Sequence, residues 1–300
     1  MRRQTQIITI IILITVVFTN ITIYGKQRYA DSKIKDYYHQ LTDKEKSYYN
    51  LLKKRFNNNP EKTTGKVSLK SIKVKKKQAM SILKAENRAM QRACVALCLE
   101  HPEIYWVKGI TVTGSCHYKK GYANKFKLTY KISDIGPHSR CDVKRFKARL
   151  KNVIKHIKNK TYKKGKRKKI EYINKWMVTK LKYSDRPKKI GESAYGLLIK
   201  KKGNYQGYSS LFKLICSKLK IKCIRIDGNR IIKKKGKVHS WNYVKIKKKW
   251  YGVDVALNKT NKDHFKYLLN NKVFIKTHKY NPCLFTEDHL KIFKIPKLAR

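Results

Sequence analysis

The chain has 300 residues, 41% of them hydrophobic, enough for one large domain or two small ones with a core and too apolar for a disordered tail. Its charge is the unusual figure: 75 Lys and Arg against 18 Asp and Glu, a formal net of +57, which repels itself and favours anionic partners. The lysine runs at 75–77, 163–169, 200–202, 233–237 and 247–249 mostly fall between apolar segments and lack interleaved stacking aromatics, so they read as solvated turns rather than a nucleic-acid groove.

At the N-terminus, Met1-Arg2-Arg3 precedes an apolar run from Ile7 to Phe18, the form of a signal-peptide n-region and h-region. Continued to Tyr24 the run reaches about 18 residues, the lower limit for a spanning helix. No small-x-small cleavage site follows. Residues 1–24 are therefore read as a signal peptide or membrane anchor, with an uncleaved anchor preferred. Either way the remainder is expected to be extracytoplasmic, membrane-anchored or secreted.

Residues 25–76 read as a basic helical segment and linker. The helix is expected from Tyr37 to Phe56, with Thr42-Asp43-Lys44-Glu45 as a capping box and Tyr48, Leu51 and Leu52 as its apolar face. Asn57 to Pro60 ends it and opens a polar linker to about Val67. Residues 77–142 read as a helix plus a small β region. Met80, Leu83, Met90, Ala93, Cys94 and Leu97 recur at near-helical spacing, and Phe126, Leu128, Tyr130 and Ile132 alternate as in a half-buried strand.

Residues 143–300 form the last block. Two helices come first: Val143 to Ile157 and Ile170 to Leu181 each present one apolar stripe. A short helix at Ser193–Ile199 and a glycine turn then lead into a helix from Tyr205 to about Leu219. Strands are expected at Cys223–Ile226, Ser240–Ile246 and Trp250–Val255, the last two forming a hairpin about Lys247-Lys248. Segregated helices and strands give an α+β fold, with helices packed on an antiparallel sheet. The seven cysteines include no paired CxxC set, so no metal or cofactor is expected. Cys116 and Cys141 are candidates for a bridge, which spacing alone does not decide.

Cysteine acyl transfer needs a nucleophile at a helix N-terminus, a histidine to take its proton and a carboxylate to orient that histidine. Tyr205 opens a helix, His239 precedes a strand, and a turn at 247–248 puts Asp254 beside Trp241, within diagonal reach of His239. Alone, one His and one Asp are weak signals. The local strings are not. Ser193-Ala194-Tyr195-Gly196-Leu197-Leu198, Gly203-x-x-Gln206-Gly207-Tyr208, His239-Ser240-Trp241-Asn242-Tyr243-Val244 and Trp250-Tyr251-x-Val253-Asp254-Val255 occur in order. Together they closely resemble the transglutaminase-like superfamily, in its bacterial cell-envelope members. Upstream, Tyr37–Leu52 and His101-Pro102-Glu103-Ile104-Tyr105-Trp106 resemble segments of the same proteins, so the likeness runs over roughly residues 37–258.

The resemblance implies a papain-like core and a Cys-His-Asp triad for amide hydrolysis or exchange at glutamine. It makes His239 the general base and Asp254 its orienting partner, with Gln206, Trp241 and Asn242 shaping a substrate-binding site. It also exposes a departure. The family pattern reads G-x-C-Q-G-Y, and Tyr205 stands where the cysteine belongs. A phenol ionises near pH 10 against about 8.5 for a thiol, a roughly thirtyfold smaller anionic fraction at neutral pH. Cys216 lies about 16 Å further along the helix axis and Ser209 about 6 Å, so neither is a ready substitute.

Three functions are therefore open. One is a pseudoenzyme that binds a peptide, a protein or an envelope component. Another is an active cysteine-protease-like or transglutaminase-like enzyme with a relocated nucleophile. The third is a basic adhesion module for anionic polymer or a membrane surface.

Overall fold

The computed structural model describes residues 12–16, 29–30, 34, 36–281 and 293–299. Two antiparallel sheets, each covered by helices, organise the chain. The first part contains β1 (Ile12–Val16), β2 (Tyr29–Ala30), α1 (Asp43–Asn58), β3 (Thr64–Ser68), β4 (Val74–Lys75), α2 (Lys76–Glu100), β5 (Val107–Lys119) and β6 (Tyr122–Asp134). Helices α3 (Arg140–Lys160) and α4 (Lys166–Lys180) follow, then β7 (Lys182–Tyr183), α5 (Ala194–Lys200), β8 (Lys202–Gly203) and α6 (Tyr205–Lys218). The chain closes through β9 (Cys223–Ile232), β10 (Lys235–Ile246), β11 (Lys249–Val253), α7 (Val255–Thr260), α8 (Asn271–Thr277), β12 (His278–Tyr280) and β13 (Ile295–Pro296).

The first sheet runs β1-β5-β6-β3, with β4 also on β6. Its face is covered by α2, whose Leu83 approaches Gly114 of β5 so closely that a Cβ there would overlap it. Buried Asn87 of α2 donates to the Val112 carbonyl at 2.8 Å, satisfying a polar group that would otherwise be costly inside the core. Helix α1 begins at Thr42, whose side chain accepts from the Glu45 amide while Glu45 accepts from the Thr42 amide, the predicted capping box. The preceding turn, Tyr38–Gln40, is 3-10 rather than α-helical, so the helix starts later than its apolar pattern alone implies.

Three expectations change in this region. The stretch read as a polar linker contains β3, which pairs with β6 from Thr64↔Lys131 to Ser68↔Lys127. Its alternating half-buried residues carry few large apolar side chains, so the pattern is faint in sequence. Cys116 and Cys141 are both free thiols, the first buried and the second exposed. Of the N-terminal segment, residues 12–16 pair antiparallel with β5, and the rest of the expected signal or anchor lies outside the described residues, as does Cys283. Among the described residues no helix is long and apolar enough to cross a membrane.

The second sheet, β11-β10-β9-β12, is antiparallel throughout. Strands β9 and β10 extend further than their apolar runs and meet at a Lys233-Lys234 turn. Helix α6 lies on this sheet. Its buried Lys213 donates to the Cys223 carbonyl at 2.6 Å and to Glu100 of α2 at 2.8 Å, tying the two sheet systems together through one satisfied charge. Buried side chains from Tyr37 to Leu298 form one continuous core.

Turn chemistry is unusual. Eight of the nine described non-glycine residues with positive φ are lysines, at 120, 125, 163, 201, 220, 233, 234 and 247. Glycine or asparagine suits this backbone region better, and a residue with a Cβ costs roughly 1–2 kcal/mol there. The lysines are not placed by local backbone preference.

Candidate functional site

The site forms where α6 meets the second sheet. Its entry is built around the Gly191 carbonyl, which accepts from the Asn204 amide at 3.2 Å. A Cβ on Gly203 or Gly207 would strike that carbonyl, so both positions need glycine for close backbone approach. Asn204 caps α6, its side chain accepting from the amides of Gln206 at 3.0 Å and Gly207 at 3.4 Å. This fixes Tyr205 at the first helical position.

Tyr205 faces His239, with ring centroids 4.9 Å apart at 45°. His239 lies inside β10, and its Nε2 is 2.6 Å from Asp254 Oδ2. A ring nitrogen facing a carboxylate oxygen must carry the proton, so Nε2 donates and Nδ1 is left to take one. Asp254 is buried at the junction of β11 and α7, where its Oδ1 accepts from the Leu257 amide at 2.9 Å as the N-cap of α7. The predicted register holds: Asn242 pairs with Val253, which carries Asp254 past Trp241. The difference is that Asp254 caps a helix rather than lying within the strand.

A third residue joins this pair. His278, at the start of β12, places Nε2 3.0 Å from the same Asp254 Oδ2 and Nδ1 2.8 Å from Thr277 Oγ1. It is fully buried, stacked on Phe274 at 4.2 Å and edge-on to Trp241 at 4.8 Å. The clue in sequence was only a histidine thirty-nine positions from His239, with nothing to set its partner strand. Burial pushes the Asp254 pKa up, but the two imidazoles and their hydrogen bonds outweigh it and hold the carboxyl well below its usual range. His278 moves down: burial disfavours its charged form, Asp254 opposes, and His239 and Arg230 add to the lowering. His239, Asp254 and His278 offer three ligand-type atoms within 4.8 Å of one another, but both imidazoles are committed to the carboxylate.

The Tyr205 hydroxyl is pushed above its ordinary pKa, first by burial and then by the negative charges of Asp227 and Glu192, with Arg225 opposing. Asp227 accepts from Arg225 at 2.9 Å and from the Ser240 hydroxyl. The arrangement disfavours phenolate. Cys216 is fully buried and its thiol is pushed up by burial and by Cys223. Ser209 is buried and donates to the Gln206 carbonyl at 3.1 Å.

A cavity of about 240 Å³ opens over Tyr205 and His239, walled by Tyr183, Asp185, Arg230 and Lys237 among others. Gln206 is half-buried and lines a different cavity, with Arg225 and Glu192. Trp241 and Asn242 are buried. Trp241 packs near the His239 ring, and Asn242 donates to the Ser209 carbonyl at 3.1 Å, holding α6 on β10. His264 accounts for a separate bond, 2.7 Å from the Asn258 carbonyl.

The chain is α+β, and residues 151–255 match the family model of the transglutaminase-like superfamily. No curated protein matches the chain. Among solved structures it is similar to a TGase at 10% identity and TM-score 0.34, covering 64% of this chain and 50% of that one. It is also similar to a protein from Cytophaga hutchinsonii described as a candidate cysteine protease, at 13% identity and TM-score 0.30, covering 49% and 56% of the two chains. The periplasmic domain of TgpA from Pseudomonas aeruginosa is similar at 8% identity and TM-score 0.29, covering 49% and 71%. The chain thus spans about half the length of the TGase it resembles.

Proposed function

We propose that this is an extracytoplasmic transglutaminase-like pseudoenzyme, which binds a peptide or cell-envelope component in the Tyr205–His239 cleft without acyl transfer. One observation carries the reading. The side chain facing the imidazole of His239, at the first position of α6, is a phenol. In the superfamily pattern that position holds the attacking thiol. A neutral phenol beside a histidine already oriented by Asp254 keeps the base and loses the nucleophile. Its ring also occupies volume that an acyl group would need.

The alternatives to an inactive site draw no support from their candidate nucleophiles. Cys216 and Ser209 are both buried behind the cleft, and neither lines it. The extracytoplasmic placement rests on the basic n-region and apolar run of residues 1–24. The full chain should release no ammonia and form no amine conjugate when incubated with glutamine-containing peptides and a primary amine, and should cleave none of them. Turnover that disappears in His239→Ala would overturn the proposal.

A further inference from the structure

Within the second sheet, three basic side chains lie in one cross-strand row on the face that carries His239. Lys237 of β10 pairs directly with Arg230 of β9, and Arg230 pairs with His278 of β12. The next row places His239 opposite Gly228. Since side chains alternate along a strand, Lys237 and His239 share a face, and Arg230 shares it with them. Like charges directly opposite one another destabilise a sheet. His278 donates a hydrogen bond to Asp254, but neither Arg230 nor Lys237 makes an ion pair among the described residues. Arg230 is half-buried, so its charge is not simply diluted in solvent. Both side chains wall the cavity over Tyr205 and His239, whose lining also includes one exposed carboxylate, Asp185.

Two cations at a cavity mouth with no ion-pair partner among the described residues are accounted for by an anion that binds there. A planar guanidinium matches a carboxylate through two parallel hydrogen bonds, with Lys237 as a second point of charge. We propose that this cavity is a carboxylate-recognition site for acidic peptides, with Arg230 and Lys237 as its cationic contacts. The proposal rests on the reading of the cleft as a peptide-binding site and specifies what the peptide must carry.

Charge alone makes this protein attract anions, so the test must separate a local contact from the overall field. Short fluorescent peptides bearing one Glu, the same peptide with Gln, and the same peptide with phosphoserine are titrated into the full chain at about 0.15 M salt, where the screening length is about 8 Å. Arg230→Gln/Lys237→Gln is compared with Lys151→Gln/Lys155→Gln, two exposed positions on α3 that remove the same net charge. The single variant Lys237→Glu, at an exposed position, repeats the test without disturbing packing. The expected result is about tenfold tighter binding of the Glu peptide than the Gln peptide. That preference should be lost in Arg230→Gln/Lys237→Gln and in Lys237→Glu, and kept in the α3 pair. Equal losses in both double variants, no preference for Glu, preference for phosphoserine, or no binding at all would each overturn it. Peptide recovered cleaved or deamidated would instead defeat the non-catalytic reading while leaving the charge preference to be judged on its own.

Discussion

Asp254 shows how much one buried carboxylate is asked to do. It accepts from two imidazoles through one oxygen and from the Leu257 amide through the other, so three elements converge on it. The energetic consequence can be signed. Asp254 is held well below its ordinary 3.8, so its contribution is present above that value and is lost as the unfolded chain takes up a proton at lower pH. His278 is also shifted down from 6.5, so the unfolded chain binds more protons just below that pH and stability falls as pH drops through this window. The slope from one such group is at most about 1.4 kcal/mol per pH unit. Thermal unfolding between pH 7.5 and about 5 should therefore show a weaker pH dependence in His278→Gln than in the native chain. Parallel profiles would mean that His278 does not stay neutral in the folded protein. The sequence made His239 and Asp254 legible because the strings around them resemble a known family and their spacing about a turn brings them within diagonal reach. It did not place His278 beside Asp254, because β12 reaches β9 through the long β11–β12 connection, which no local pattern predicts.

At the scale of elements, the turn from α5 to α6 explains the glycines that the family resemblance only matches. Gly203 and Gly207 both abut the Gly191 carbonyl, and a Cβ on Gly207 would also come within 3.1 Å of the Ser193 carbonyl. Helix propensity alone favours alanine over glycine inside a helix by about 1 kcal/mol. Gly207→Ala should nevertheless destabilise the protein by about 1–3 kcal/mol, because the obstructing atoms are backbone and overpacking costs that much. A urea midpoint that rises in this variant would show that the turn can open without penalty. Helices α3 and α4 were readable from apolar periodicity, since each buries one stripe, and so was the first half of α2, whose second half, from Ala89 to Leu97, is buried on every side. Strand β3 was not, because an edge strand of Thr, Gly, Lys, Val and Ser buries too little to leave a pattern. The outer halves of β9 and β10 were hidden likewise, being held by hairpin pairing rather than by apolar side chains.

Over the whole molecule, a net charge of +57 is carried on a continuous core. Most of the charge is on exposed lysines, and eight lysines occupy turn positions that local conformation disfavours. Such a field draws anions from all directions but selects none. On the proposed reading selection comes from the cleft, where His239, Asp254 and two cations without an ion-pair partner among the described residues surround the Tyr205 ring. The central claim is that this cleft lacks only its nucleophile. Tyr205→Cys measures that most directly, with ammonia release from a glutamine peptide and labelling by a thiol-directed electrophile as readouts. The account predicts that the variant gains both and loses them again when His239→Ala is added. A Tyr205→Cys protein that folds but remains inert, or a native chain that is already active through His239, would contradict it.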